Sequence, residues 1–169
     1  VSNSRRQSKE PANRGKPQAR GGAPALLADQ VCFALYSASH AVTGYYRPML
    51  DELGLTYPQY LVMLALWQQD GLTLKELGTM LYLDSGTLSP LLKRLEQREL
   101  VRRTRSAEDE RSVIVTLTDA GDGLRRRATG VPAVIQTAMD LDDDQLEALR
   151  AQLRALADSV RSAPTTRLP

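Results

Sequence analysis

The hydrophobic period of this chain changes at residue 101. From Leu27 to Leu95 apolar residues return every three or four positions, as one face of a helix requires. The run Ser112–Leu117 then alternates through Val113, Val115 and Leu117, as a half-buried strand requires, and helical spacing resumes afterwards. A chain that leaves helices for one short hairpin and returns to helices is neither a uniform bundle nor a sandwich or barrel. The expected fold class is mainly α with a small β-hairpin.

The local signals fill in the order. Leu27, Val31, Leu35, Ala38, Val42 and Tyr45 form one stripe of a first helix starting near Leu26, and Cys32, Tyr36, Ser39, Thr43 and Tyr46 run beside it. Pro48 disfavours helical geometry at Arg47 and is expected to break that helix. Thr56-Tyr57-Pro58-Gln59 fits a capping box ahead of the apolar run Leu61–Trp67, and Asp70-Gly71 marks a turn. Thr73-Leu74-Lys75-Glu76 is a second box, opening a short helix to about Leu81. Asp84 or Ser85 caps the next helix, which turns Leu88, Leu91, Leu92 and Leu95 inward and should bend at Pro90. Val101–Arg105 and Ser112–Leu117 are hairpin strands joined by Ser106–Arg111. Thr118 or Asp119 starts a helix reaching Thr129 or beyond. A last one begins near Asp142-Asp143-Asp144-Gln145 and carries Leu146, Leu149, Leu153 and Leu156.

Two short helices and a brief turn followed directly by a hairpin are the layout of a winged helix-turn-helix. The expected organisation is a disordered basic tail at 1–25 and an N-terminal dimerisation helix at 26–54. A winged helix-turn-helix domain at 55–117, C-terminal dimerisation helices at 118–162 and a tail at 163–169 complete it.

Charge adds a direction. The chain of 169 residues has a net charge of only +2. Residues 1–25 carry six cations against one carboxylate, and residues 93–105 carry six against two. A basic patch at the end of the second short helix and on the first wing strand suits a polyanion, whereas a charge run alone is also consistent with a solvated helix face. In a winged helix-turn-helix the second helix enters the DNA major groove and the wing reaches backbone or minor groove. Ser85, Thr87 and Ser89 then face base edges, although Ser85 and Thr87 are also natural helix starters, and Lys93 and Arg94 suit phosphates.

Other classes are excluded or left without support. One cysteine rules out an internal disulfide, and one histidine with one cysteine leaves no usual metal set, so no metal and no cofactor are expected. No apolar run approaches a membrane span and the basic start lacks a hydrophobic signal core, so a cytoplasmic protein without a membrane partner is expected. Asp142–Asp144 reads as helix-dipole chemistry, Arg125–Arg127 and His40 as solvated or interface side chains, and Trp67 as core.

Four strings point to a family: VCFALYSAS at 31–39, LTYPQYLVML at 55–64, LYLDSGTLSPLLKRLE at 81–96 and EDERSVIVTLTDAG at 108–121. The last resembles the wing of MarR-type regulators. The first three together resemble the OhrR branch, the thiol-based sensors of organic hydroperoxides, and the likeness covers about residues 26–128. It implies a homodimeric repressor that binds pseudo-palindromic operator DNA when reduced and releases it when an N-terminal cysteine is oxidised. Here that cysteine is Cys32. The tyrosines that contact it fall on Tyr46 and Tyr57 of the other protomer, with Tyr36 one turn along the same helix. Arg111 matches the arginine at the wing tip, for minor-groove insertion, and Asp109 is placed to orient it. No second cysteine is available, so the chain resembles the one-cysteine class.

The chemistry is consistent with that assignment. Thiolate, not thiol, attacks a peroxide, and a cysteine near a helix start meets unpaired backbone amides that favour negative charge. Tyrosine hydroxyls donate hydrogen bonds to a thiolate or sulfenate, and their rings suit an organic tail, so an organic hydroperoxide is the expected inducer. Without a second thiol in the chain, a low-molecular-weight thiol would cap the sulfenic acid, or further peroxide would overoxidise it. Two rival readings stay open. One is a MarR-type repressor controlled by a reversible small-molecule ligand, with Cys32 a small buried hydrophobe. The other is a thiol peroxidase, which the missing resolving cysteine and the reading head disfavour; a non-enzyme is expected.

Overall fold

The computed structural model describes residues 26–107, 109 and 111–164. The basic tail expected at 1–25, wing residues Glu108 and Glu110, and residues 165–169 lie outside them. Two compact units divide between Ser37 and Ala38. The first holds a 3₁₀ turn at Leu27–Asp29 and the opening turns of α1 (Val31–Leu53).

The second unit contains the rest of α1, then α2 (Tyr57–Gln68), β1 (Leu72–Thr73), α3 (Leu74–Leu81), α4 (Ser85–Gln97), β2 (Val101–Arg105), β3 (Val113–Leu117), α5 (Asp119–Ala128), α6 (Val131–Met139) and α7 (Asp143–Ser162). The capping boxes form as read. Thr56 and Gln59 open α2, Thr73 and Glu76 open α3, and Asp142 and Gln145 open α7, each pair exchanging side-chain and backbone bonds. Asp84, rather than Ser85, caps α4.

The sheet is antiparallel in the order β1-β3-β2, with Val101 opposite Leu117, Arg105 opposite Val113 and Leu72 opposite Val115. Asp70 fixes its start by accepting the Leu117 N–H at 2.8 Å. Val115 points into a core built from Tyr60, Val62, Met63 and Leu66 of α2, Leu77 of α3, and Leu88, Leu92 and Leu95 of α4. Trp67 joins this core. Its indole N–H donates to the Gly121 carbonyl at 2.9 Å, and its ring meets Tyr60 edge-on at 6.2 Å between centroids. Gly121 is required here, because a Cβ would lie 2.0 Å from the Leu100 carbonyl oxygen.

Three expectations need correction. The first helix begins at Val31, not Leu26, and continues through Pro48 to Leu53. The ring removes one backbone bond, but Gly44, whose carbonyl loses its donor, is exposed to water, and Leu50 and Leu53 beyond the proline are buried. Packing of that last turn outweighs the local penalty. The helix starting at Asp119 does not run on past Thr129 as one piece, because Gly130 and Pro132 start a separate α6. The short strand β1 was not legible, because Thr73 belongs to the capping box and Leu72 alone shows no alternation. As expected, α4 contains Pro90 and runs on to Gln97.

Candidate functional site

The helix-turn-helix segment is centred on α4. The turn before it uses Tyr82 in the left-handed region (φ 55°), and the Leu83 N–H donates to the Gly78 carbonyl at 2.9 Å. A Cβ on Gly78 would lie 2.8 Å from the Leu83 carbonyl oxygen, so the turn passes this close to α3 only at glycine. Asp84 then accepts the Thr87 N–H at 2.8 Å and the Thr87 hydroxyl at 3.1 Å. Both bonds, the backbone one first, hold its carboxyl below the usual range. Ser85 is the first helical residue and is exposed; Thr87 is exposed with its hydroxyl proton committed to Asp84; Ser89 is half-buried. Lys93 and Arg94 are exposed in the later turns.

The basic patch divides by role. Arg103 on β2 binds Glu96 on α4 through Nε at 2.9 Å, Nη2 at 2.5 Å and its backbone N–H at 3.2 Å. The Arg103 side chain is the main reason the Glu96 carboxyl titrates below its usual range. Arg98 donates to the carbonyls of Gly54 and, at 3.3 Å, Leu53. These two guanidinia hold the wing to α4 and α4 to the end of α1. Lys93, Arg94, Arg102 and Arg105 remain exposed.

At the wing tip Asp109 accepts the Arg111 N–H at 3.0 Å and the Ser112 hydroxyl at 2.7 Å. The hydroxyl bond is the larger cause of its lowered pKa. Asp109 thus sets the backbone from which Arg111 projects; the contact is with the main chain of Arg111, not its guanidinium. Arg111 is exposed and lines a cleft of about 540 Å³ between wing and α3, together with Lys75 and Ser85. Lys75 was missed as a site residue because the string Thr73–Glu76 was read only as a helix start.

In the first unit Cys32 is the second residue of α1 and is exposed. Phe33 and Tyr36 stack at 6.4 Å between centroids. In the second unit Tyr46 and Tyr57 meet at 5.0 Å, and Tyr60 lies 5.9 Å from Tyr46. Burial, followed by the neighbouring tyrosines, pushes the Tyr46 hydroxyl up to about 12. Burial raises Tyr57 as well. Both hydroxyls therefore stay protonated, and remain donors, throughout the physiological range. Among the described residues no cluster of three or more His, Cys, Asp or Glu side chains could hold a metal ion, and no helix is long and apolar enough to cross a membrane.

Comparisons with known proteins agree with this geometry. The family description of the SarA/Rot transcriptional regulators matches residues 44–126. The organic hydroperoxide resistance transcriptional regulator of Bacillus subtilis is 46% identical over 134 residues, covering 79% of this chain and 91% of that protein. Reduced AbfR of Staphylococcus epidermidis bound to DNA superposes with a TM-score of 0.68 at 36% identity, covering 80% of this chain and 92% of that one. Overoxidised AbfR bound to DNA gives 0.64 at 39% identity, covering 78% and 93%. The PcaV regulator of Streptomyces coelicolor in complex with its natural ligand gives 0.74 at 27% identity, covering 82% and 99%. With a mainly helical fold carrying a small antiparallel wing and this degree of identity to a regulator matched over nearly its whole length, the chain belongs to the MarR family of winged-helix transcriptional regulators, in its OhrR-like branch.

Proposed function

We propose that this chain is a redox-controlled repressor that binds operator DNA as a homodimer while Cys32 is reduced and releases it when an organic hydroperoxide oxidises that thiol. The observation that carries the reading is the exposed Cys32 at the second position of α1, in a chain with a full helix-turn-helix and wing. Similarity to an organic hydroperoxide resistance regulator and to AbfR supports it. Residues 55–117 form the reading head. Thr87 and Ser89 face the bases; Ser85, which lines the cleft beside Lys75, faces the backbone with Lys93 and Arg94; and Arg111, steadied by Asp109, faces the minor groove. Residues 26–54 and 118–162 supply the dimer contacts. Leu149, Leu153, Leu156 and Val160 support this, forming one helical face of α7 that is 39%, 42%, 39% and 67% exposed in the single chain. A dimer calls for a pseudo-palindromic operator whose half-sites lie one helical turn, or a multiple of it, apart.

The thiolate of Cys32 attacks the terminal peroxide oxygen. The O–O bond breaks, the cysteine becomes a sulfenic acid, and the organic fragment leaves as an alkoxide that takes a proton to become the alcohol. Tyr36 on the same helix, and Tyr46 and Tyr57 of the other protomer, donate to the charged sulfur species. A low-molecular-weight thiol then condenses with the sulfenic acid, expelling water and leaving a mixed disulfide. That adduct is too bulky for the tyrosine contacts, so the dimer favours an arrangement in which its heads no longer match the operator. Because the overoxidised AbfR is a DNA-bound form, the mixed disulfide rather than the sulfinic acid is assigned as the releasing species.

A second reading has one observation in its favour. PcaV binds a natural ligand, and this chain has an apolar cleft of about 570 Å³ lined by Tyr60, Leu64, Trp67 and Arg125. In that case Cys32 is structural. A DNA titration at fixed salt, with the duplex flanking the chain's own coding region, separates the two. Loss of binding after hydroperoxide and thiol in wild type, but not in Cys32→Ser, supports the redox repressor; equal behaviour of both proteins supports the ligand-controlled one.

A further inference from the structure

The cleft between α3 and the wing contains cations that the fold does not use. It is lined by Lys75 of α3, Ser85 at the start of α4, and Arg111 of the wing, with Thr73, Thr79 and Ser112. Three of its hydroxyls already donate elsewhere: Thr73 to Glu76 at 2.7 Å, Thr79 to the Lys75 carbonyl at 3.0 Å, and Ser112 to Asp109 at 2.7 Å. Among the described residues the Lys75 ammonium, the Arg111 guanidinium and the Ser85 hydroxyl have no hydrogen-bond or ion-pair partner. The nearby carboxylates of Glu76 and Asp84 do not line the cleft and are engaged as caps.

Lys75 is also in an unfavourable place for the fold. It is the second residue of α3, at the positive end of the helix dipole, where a cation weakens the helix. An exposed cation at that position without a partner gains nothing from the folded chain. An external anion would reverse the balance.

We propose that this cleft is a phosphate site in which Lys75 and Ser85 grip one DNA backbone phosphodiester, leading that strand past Arg111 into the wing. The inference rests on the DNA-binding reading above and assigns Lys75 as a positioning residue. It fixes the register of α4 on the duplex without reading sequence. Lys75 supplies a point charge with three donors and Ser85 a single hydroxyl donor, which suits one phosphate rather than a base edge.

The test compares reduced wild type, Lys75→Gln and Lys75→Arg on the operator duplex and on an unrelated duplex across a salt series. Lys75→Gln should weaken both duplexes by the same factor, about five- to tenfold near physiological salt, and lower the slope of log affinity against log salt by about one. Lys75→Arg should restore most of both. The melting temperature of Lys75→Gln should equal or exceed that of wild type, since a misplaced cation has been removed. An unchanged salt slope in Lys75→Gln, or a loss confined to the operator, would overturn the proposal while leaving the repressor reading intact. Saturable binding of inorganic phosphate at constant ionic strength, lost in Lys75→Gln while the DNA slope stays unchanged, would assign the cleft to a free anion and also overturn it. If wild type binds neither duplex, the repressor reading fails and the backbone site fails with it.

Discussion

The guanidinium of Arg98, at the end of α4, donates to the backbone carbonyl of Leu53, at the end of α1, at 3.3 Å and to that of the adjoining Gly54. A second arginine joins from α5, where Arg127 donates to the Glu52 carbonyl at 2.8 Å. The last turn of α1 contains no basic residue of its own, so its unsatisfied carbonyls and negative dipole end are capped from two other helices. The end of α1 is therefore tied to the end of α4 through Arg98 and to α5 through Arg127.

Arg98→Ala should remove that cap. A loss of about 1 kcal/mol is expected, with faster amide exchange in the last turn of α1, in denaturant titration and hydrogen exchange. Gly54→Ala should act on the same contact, because Gly54 has φ +68° and its Cβ would fall 2.6 Å from the Arg98 guanidinium. Protection at the end of α1 that is unchanged in Arg98→Ala would show the cap to be ornamental.

The junction at Gly121 should tolerate no side chain. Gly121→Ala places a Cβ 2.0 Å from the Leu100 carbonyl oxygen, so backbone must shift and the Trp67 bond with it. Destabilisation of roughly 2–3 kcal/mol is expected. Trp67→Phe leaves the Gly121 carbonyl without its buried donor and should cost about 1–3 kcal/mol. Equilibrium unfolding of the two variants checks both values.

The tyrosine cluster predicts an alkaline weakness with a definite sign. Tyr46 titrates at about 12 in the fold, above the ordinary tyrosine value of 10.0, because burial disfavours the phenolate. The folded state therefore holds its proton where the unfolded chain has lost it. The associated stability is fully present below pH 10 and is lost as pH rises toward 12. Tyr46→Phe should flatten that decline, read as the pH dependence of the unfolding midpoint. An identical decline in the variant would assign it to other groups.

At the wing tip, Asp109→Ala removes the acceptor for the Arg111 N–H and the Ser112 hydroxyl. The expected result is a more mobile turn and DNA affinity reduced by about three- to tenfold, with the melting temperature nearly unchanged because the site is exposed. Backbone relaxation of residues near 109–112 and a binding titration report the two effects. A wing as rigid as wild type would contradict this role for Asp109.

What was legible in the sequence follows from how local each cause is. The boxes at Thr56, Thr73 and Asp142 are short-range devices whose partners lie three residues apart, and each formed as read. The strand at Val113 declared itself by alternation, and the strand-like run at Val101 pairs with it. Pro48 misled because its local penalty is outweighed by burial of Leu50 and Leu53 in the hydrophobic core. The separation of α5 from α6 at Gly130 was hidden because Gly130 stays in the right-handed helical region, so only Pro132 marked it. At the site, the candidate DNA-facing residues could be placed on α4 from pattern alone. The withdrawal of Arg98 and Arg103 into structural bonds could not, since their partners lie 45 and 7 residues away. Lys75 was hidden for a similar reason: its neighbours in the cleft, Ser85 and Arg111, come together only through the fold.

The most direct test of the central claim follows Cys32 chemistry and DNA release in one sample. Reduced protein on its operator is treated with graded organic hydroperoxide and a low-molecular-weight thiol at fixed salt. The fraction of Cys32 modified, from intact mass, is plotted against the fraction of DNA released. The account predicts that release follows formation of the mixed disulfide along a single curve, and that Cys32→Ser stays bound at every dose. Release while Cys32 remains a free thiol, or full retention of DNA with Cys32 fully capped, would contradict it.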